Sequence, residues 1–143
     1  MKTLIAIDPG YGKCGLILAD IENHTVLYAI NAGKKNVIFI LNKWLKEEDV
    51  KAIIMGNGTS SKYWSEALNI KIPIYFIDEG GSTLQARRRY FEIFPPNLFY
   101  RLLPSGIIPF PKNLDLFAAL VLMEKYLGRK LTLLIKPDFK TWL

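Results

Sequence analysis

The chain has 143 residues, half of them hydrophobic, enough to bury one sizeable core and too few for two ordinary domains, so residues 1–143 are read as a single domain. One cysteine, Cys14, and one histidine, His24, exclude disulfide frameworks, zinc clusters of the Cys/His type and histidine-dependent triads within one chain. With 19 Lys and Arg against 13 Asp and Glu, the net charge of +6 favours a polyanionic partner, because basic side chains gain affinity by displacing counterions condensed on phosphates.

Thr3 to Ile7 is an apolar run closed by Asp8-Pro9-Gly10, the pattern of a buried central strand ending in a turn. A second strand runs from Cys14 to Ala19 and a third from Thr25 to Ile30. Their short connections predict an antiparallel meander. From Asn36 to Lys46, Val37, Ile40, Leu41, Trp44 and Leu45 recur at helical spacing. Val50 to Met55 reads as a strand, Ser60 to Leu68 as a helix, and Ile72 to Ile77 as a last full strand ending in Asp78-Glu79-Gly80-Gly81. Strands alternating with helices imply parallel pairing after the meander. Ser82-Thr83 is placed to cap a helix from Leu84 to about Phe94, which Pro95-Pro96 terminates. Five prolines between residues 95 and 112 argue for a long irregular loop. Asn113 is placed to cap a final helix from Leu114 to Leu127, and the tail from Leu131 either adds a short strand or packs loosely. The expected architecture is α/β: a five-stranded mixed sheet, a three-strand antiparallel meander plus two parallel strands, flanked by helices. No apolar run approaches the roughly 20 residues that span a bilayer, and Leu4 to Ile7 stops at Asp8 without a signal-peptide pattern, so a cytoplasmic protein with no membrane partner is expected.

Ionisable side chains gather at strand ends. Asp8 closes the first strand and Asp78-Glu79 the last full one, and ligand sites of open α/β sheets form outside the carboxyl ends of the strands. If those strands lie near the sheet centre, their carboxylates meet at one edge, within reach of Asp115 on the first turn of the final helix. Three hard oxygen ligands suit Mg²⁺ or Mn²⁺, and a cation would supply the reason for like charges to converge. The chemistry that needs such a site is in-line displacement at phosphorus, with two ions roughly 3.5–4 Å apart. Each carboxylate also has a plain structural explanation: Asp8 starts a turn, Asp115 complements a helix dipole, Glu79 is a solvated loop residue. Their conjunction favours the site.

Ile7-Asp8-Pro9-Gly10-Tyr11-Gly12-Lys13-Cys14-Gly15 resembles the opening Asp-Pro-Gly-x-x-Lys-x-Gly motif of the YqgF/RuvX family of ribonuclease H-like nucleases. Ile77-Asp78-Glu79 with Ser82-Thr83 is similar to that family's Asp-Glu-Arg-x-Ser-Thr segment, and the stretch from Leu114 to Leu122 is similar to its closing Asp-x-x-Ala-Ala helix. Gly56-Asn57-Gly58-Thr59 resembles a strand-end motif of YqgF-like domains in larger RNA-binding proteins. The resemblance covers Lys2 to about Leu127. It implies a ribonuclease H-like fold and a divalent-metal-dependent endonuclease that hydrolyses phosphodiester bonds in structured RNA or branched DNA. Members are described as Holliday-junction resolvases or as processors of the 5′ end of precursor 16S ribosomal RNA. By motif match Asp8, Glu79 and Asp115 take the catalytic, metal-binding roles, with two Mg²⁺ or Mn²⁺ ions. Two departures stand out: Gly80 replaces the family arginine, and the proline-rich insert is longer.

Nucleic-acid contacts are assigned to Lys13, Thr59, Arg87 and Arg88. Lys13 either meets a substrate phosphate or ties down its own turn. Residues 56–59 either offer backbone amides to a phosphate or form a simple turn with Thr59 or Ser60 as cap. Arg87-Arg88-Arg89 cannot share one helix face, because successive residues point about 100° apart, so one or two of them reach phosphate. Phe99, Tyr100 and Phe110 either stack on bases or anchor the long loop to its own core, with anchoring favoured. The sequence leaves open RNA against DNA, monomer against homodimer, Asp78 against Glu79 as ligand, the role of the proline-rich loop 95–112, and whether the domain is catalytically active. The rival readings are a catalytically silent YqgF-like nucleic-acid-binding module and, less well supported, a phosphotransferase of the actin and hexokinase type, which needs two domains.

Overall fold

The computed structural model describes residues 2–68, 70–95 and 114–133. Strand β1 (Lys2–Asp8) alternates two buried sets: Leu4 and Ala6 face one side of the sheet, Ile5 and Ile7 the other. A strand buried on both faces belongs at the sheet centre. β1 pairs antiparallel with β2 (Lys13–Asp20), which pairs antiparallel with β3 (Thr25–Gly33). On its other edge β1 pairs parallel with β4 (Asp49–Gly56), and β4 pairs parallel with β5 (Ile74–Ile77). The meander and the two parallel strands are as expected. The sheet has six strands rather than five: β6 (Thr132–Leu133) adds parallel to β3, giving the order β5-β4-β1-β2-β3-β6.

Helices cover both faces. α1 (Lys34–Glu47) and α2 (Ser61–Ala67) bury Val37, Leu41, Trp44 and Trp64 against Ile5, Ile7, Leu16 and Met55. α3 (Ser82–Ile93) and α4 (Asp115–Leu127) cover the opposite face, where Ala86, Leu116, Phe117, Leu120 and Met123 meet Leu4, Ala6, Ile17 and Ile54. α4 buries seven residues between Leu116 and Met123, an all-round apolar helix lying directly on the sheet. Gly128, left-handed with φ 71°, ends it, and its N–H returns to the Glu124 carbonyl at 2.8 Å.

Two expected caps fall differently. The residue before α3 is Gly81 at φ 76°, which carries no side chain to cap with, and Ser82-Thr83 instead form the helix's first positions. Ser60 precedes α2 without a side-chain cap bond. Asn113 and the loop residues Phe99, Tyr100 and Phe110 lie outside the described residues. Among the described residues no helix is long and apolar enough to cross a membrane.

Candidate active site

The parity that sorts β1 also aims Asp8. With Leu4 and Ala6 on the α3/α4 face, Asp8 at the strand's carboxyl end points the same way. Its register partner on β2 is Gly15, and β4 ends at Gly56, in step with Ala52 and Ile54 on that same face. Across three neighbouring strands, near the start of β2 and at the ends of β1 and β4, Gly15, Asp8 and Gly56 therefore form a row, one carboxylate between two positions without side chains.

Both gaps are filled. A Cβ on Gly15 would collide with the backbone of Asp115 and Leu116, so the missing side chain is what lets the first turn of α4 settle on β2 and bring Asp115 to Asp8. Asn31 on β3, almost wholly buried, completes the docking, its Oδ1 accepting the Leu116 N–H at 3.0 Å. Among the described residues, that bond gives α4 a cap from another element, since Leu114 at its N-cap contributes none. On the other side, a Cβ on Gly56 or Gly58 would collide with the Glu79 carboxylate. Gly58 donates its N–H to that carboxylate, and Asn57 Oδ1 accepts the Glu79 N–H at 3.3 Å. The Gly-Asn-Gly turn is thus a cradle for Glu79, a third outcome beside the phosphate cradle and the plain turn considered from the sequence.

Asp8 lies within hydrogen-bonding reach of both Glu79 and Asp115. Burial pushes its carboxyl up to about 8, and the neighbouring charges of Asp115 and then Glu79 add to the rise. Burial likewise raises Glu79 and Asp115; Lys13, with Nζ 4.0 Å from Asp115 Oδ2, opposes the shift at Asp115. The three acids cannot all ionise at neutral pH without a cation. Asp78 turns away: it is exposed and accepts the Gly80 N–H at 2.9 Å, while Lys125 Nζ donates to its carbonyl. Glu79 is the member of the pair that faces Asp8.

These oxygens match a hard divalent cation in kind, and buried Glu79 Oε1 is left without a hydrogen-bond partner. They do not yet surround a common point, and among the described residues no group of three His, Cys, Asp or Glu side chains is disposed as a ligand shell.

The remaining residues predicted from the sequence divide. Lys13 stands at the rim beside Asp115 and Thr59 is exposed after the cradle. Arg88 is exposed, Arg87 half-buried. Arg89 is structural: its Nε and Nη2 donate to Glu124, Nη2 also reaches the Leu131 carbonyl at 2.8 Å, and Nη1 donates to Glu92. Trp64 was unforeseen as a support for the site; its Nε1 donates to the Gly10 carbonyl at 2.5 Å, tying α2 to the turn after Asp8. Cys14 is buried, and burial pushes its thiol up to about 12, a packed and unreactive sulfur.

No protein-family model and no curated protein matches the sequence. Among solved structures, the chain is similar to T. thermophilus RuvC in complex with Holliday junction substrate, at TM-score 0.47 and 14% identity, over 88% of this chain and 96% of that one.

Proposed function

We propose that the protein is a divalent-metal-dependent endonuclease of the YqgF/RuvX kind, cutting phosphodiester bonds in structured RNA or branched DNA, with Asp8, Glu79 and Asp115 as its catalytic acids. The observation that carries this reading is the convergence of Asp8 with Glu79 and Asp115 on the row Gly15-Asp8-Gly56, where the fold clears space for two half-buried acids beside a third. An arrangement that raises all three acids costs stability, and such costs concentrate at functional sites.

Asp8, Glu79 and Asp115 would hold Mg²⁺ or Mn²⁺, two ions in the usual arrangement, which when bound would activate water and neutralise charge on the leaving oxygen. The chain's own groups do the rest. Asp8, within hydrogen-bonding reach of the other two, would join them in holding the metal once it gives up its proton. The Gly58 amide and the Asn57 side chain hold Glu79 in place. Lys13, exposed at the rim beside Asp115, would neutralise a non-bridging phosphate oxygen. Thr59, Arg87 and Arg88 are assigned to the flanking backbone of the substrate.

The test is cleavage of a labelled four-way DNA junction and of a precursor-rRNA 5′ leader in Mn²⁺, with and without chelator. Metal-dependent cutting of either substrate by wild type, lost in Asp8→Asn and Glu79→Gln while nucleic-acid binding persists, is the expected result. Binding with no metal-dependent cutting of either would favour the silent binding module.

A further inference from the structure

A groove of about 410 Å³ lies between α3 and the C-terminal half of α4, lined by none of the three acids. Its floor is apolar, with Val121 buried beneath the stems of longer side chains. Its walls are charged and unevenly so: Arg88, Arg89, Lys125, Arg129 and Lys130 against Glu92 and Glu124. Both carboxylates are already engaged. Glu124 binds Arg89 at 3.0 Å, and Glu92 binds Lys130 at 2.9 Å and Arg89 at 3.2 Å. Lys125 Nζ reaches only a neutral carbonyl, that of Asp78. Among the described residues the guanidinium groups of Arg88 and Arg129, both exposed, meet no acceptor. Two free forks and a lysine therefore border an apolar trough with no free carboxylate to repel an anion.

We propose that this groove carries the phosphodiester backbone of nucleic acid onward from the three acids, with Arg88 and Arg129 each taking a phosphate. The choice of ligand rests on the nuclease reading. A guanidinium fork matches phosphate oxygens two at a time, and the two forks come from separate elements, as contacts along an extended polyanion do. Val121 to Lys125 lie about 9–15 Å up α4 from Asp115 at 1.5 Å per residue. That corresponds to about three to four base pairs of duplex at 3.4 Å each. One helix thus carries an acid of the site at one end and an anchoring groove toward the other.

The test measures binding of a fluorescein-labelled DNA duplex of about three helical turns, and of the matching RNA duplex, in chelator. Salt is varied between about 50 and 200 mM. For R88Q/R129Q, the expected result is affinity weaker by about tenfold or more, with the salt slope reduced by about 2 for the two lost phosphate contacts. The melting temperature should stay unchanged, because neither guanidinium holds the fold. Affinity and slope equal to wild type would overturn the proposal. So would thermal protection by inorganic phosphate, abolished in R88Q/R129Q, without any change in duplex binding; the groove would then be a small-anion site. Because chelator removes cleavage from the measurement, a reduced slope upholds the groove even if no cutting is found. An unchanged slope in a protein that cuts removes the groove and the Arg88 contact and leaves the three acids standing.

Discussion

Gly15 and Gly56 flank Asp8 alike but face different neighbours, and that difference separates their predicted effects. Gly15→Ala drives a methyl into the Asp115–Leu116 backbone, which moves only if α4 shifts on the sheet. A loss of about 1–3 kcal/mol, read as a lower midpoint in urea, is expected. Gly56→Ala meets the end of a flexible glutamate. Its midpoint should stay within about 0.5 kcal/mol of wild type while Mn²⁺ affinity falls, because Glu79 is pushed from its cradle. Asp8 supplies a second test. Its pKa is about 8 folded against 3.8 in the open chain, so the folded form keeps a proton that the unfolded form releases. Stability from that proton is complete below the unfolded value and is lost as pH rises from about 4 to 8, at no more than about 1.4 kcal/mol per pH unit. In chelator, urea titrations across this range should show wild type losing stability more steeply than Asp8→Asn, in which Glu79 and Asp115, also raised, keep a slope of their own; equal slopes would contradict the raised pKa of Asp8. The acids themselves were legible in the sequence, since strand ends and a helix start are where such groups collect. Asp78 against Glu79 was not, because adjacent residues in an irregular turn have no fixed period. The support from Asn31 was equally hidden, since an asparagine 85 positions from the amide it caps leaves no local pattern.

Among the elements, β1, β2, β4 and α4 were readable because each carries a long apolar run between turn signals, and tertiary packing only reinforced the local preference. β6 was barely so: two residues cannot show a period, and the strand forms because Arg89 and Glu124 hold its approach. Arg89 donates to the Leu131 carbonyl and Glu124 Oε2 accepts the Leu131 N–H at 2.7 Å, so one ion pair secures the chain as it leaves α4 for the sheet edge. Arg89→Gln should therefore cost about 1.5–3 kcal/mol, the value of charged hydrogen bonds lost beside a partly buried glutamate. Hydrogen exchange should rise first around residues 129–133; protection there equal to wild type would remove Arg89 from this role. The consecutive arginines illustrate why composition alone misleads. Helical geometry spreads them over different faces, and in the fold Arg89 joins an internal ion pair while Arg88 is left for a partner.

For the molecule as a whole, the two-sided burial of β1 puts Asp8 at the centre of the sheet's edge, and the crossovers of the parallel half bring Glu79 to one side of it. α4, nearly all apolar, must lie flat on that face and thereby delivers Asp115 to the other side. The site is a consequence of how the core packs. A cation should bind better as pH rises, since Asp8 must first release its proton, and binding should offset the stability lost in its absence. The most direct measurement is a crystal structure of the protein soaked in Mn²⁺, with anomalous diffraction to locate the metal. The account predicts a peak coordinated by Asp8, Glu79 and Asp115, absent in Asp8→Asn crystals. Manganese bound elsewhere, with these three side chains still hydrogen-bonded to one another at saturating metal and alkaline pH, would contradict it.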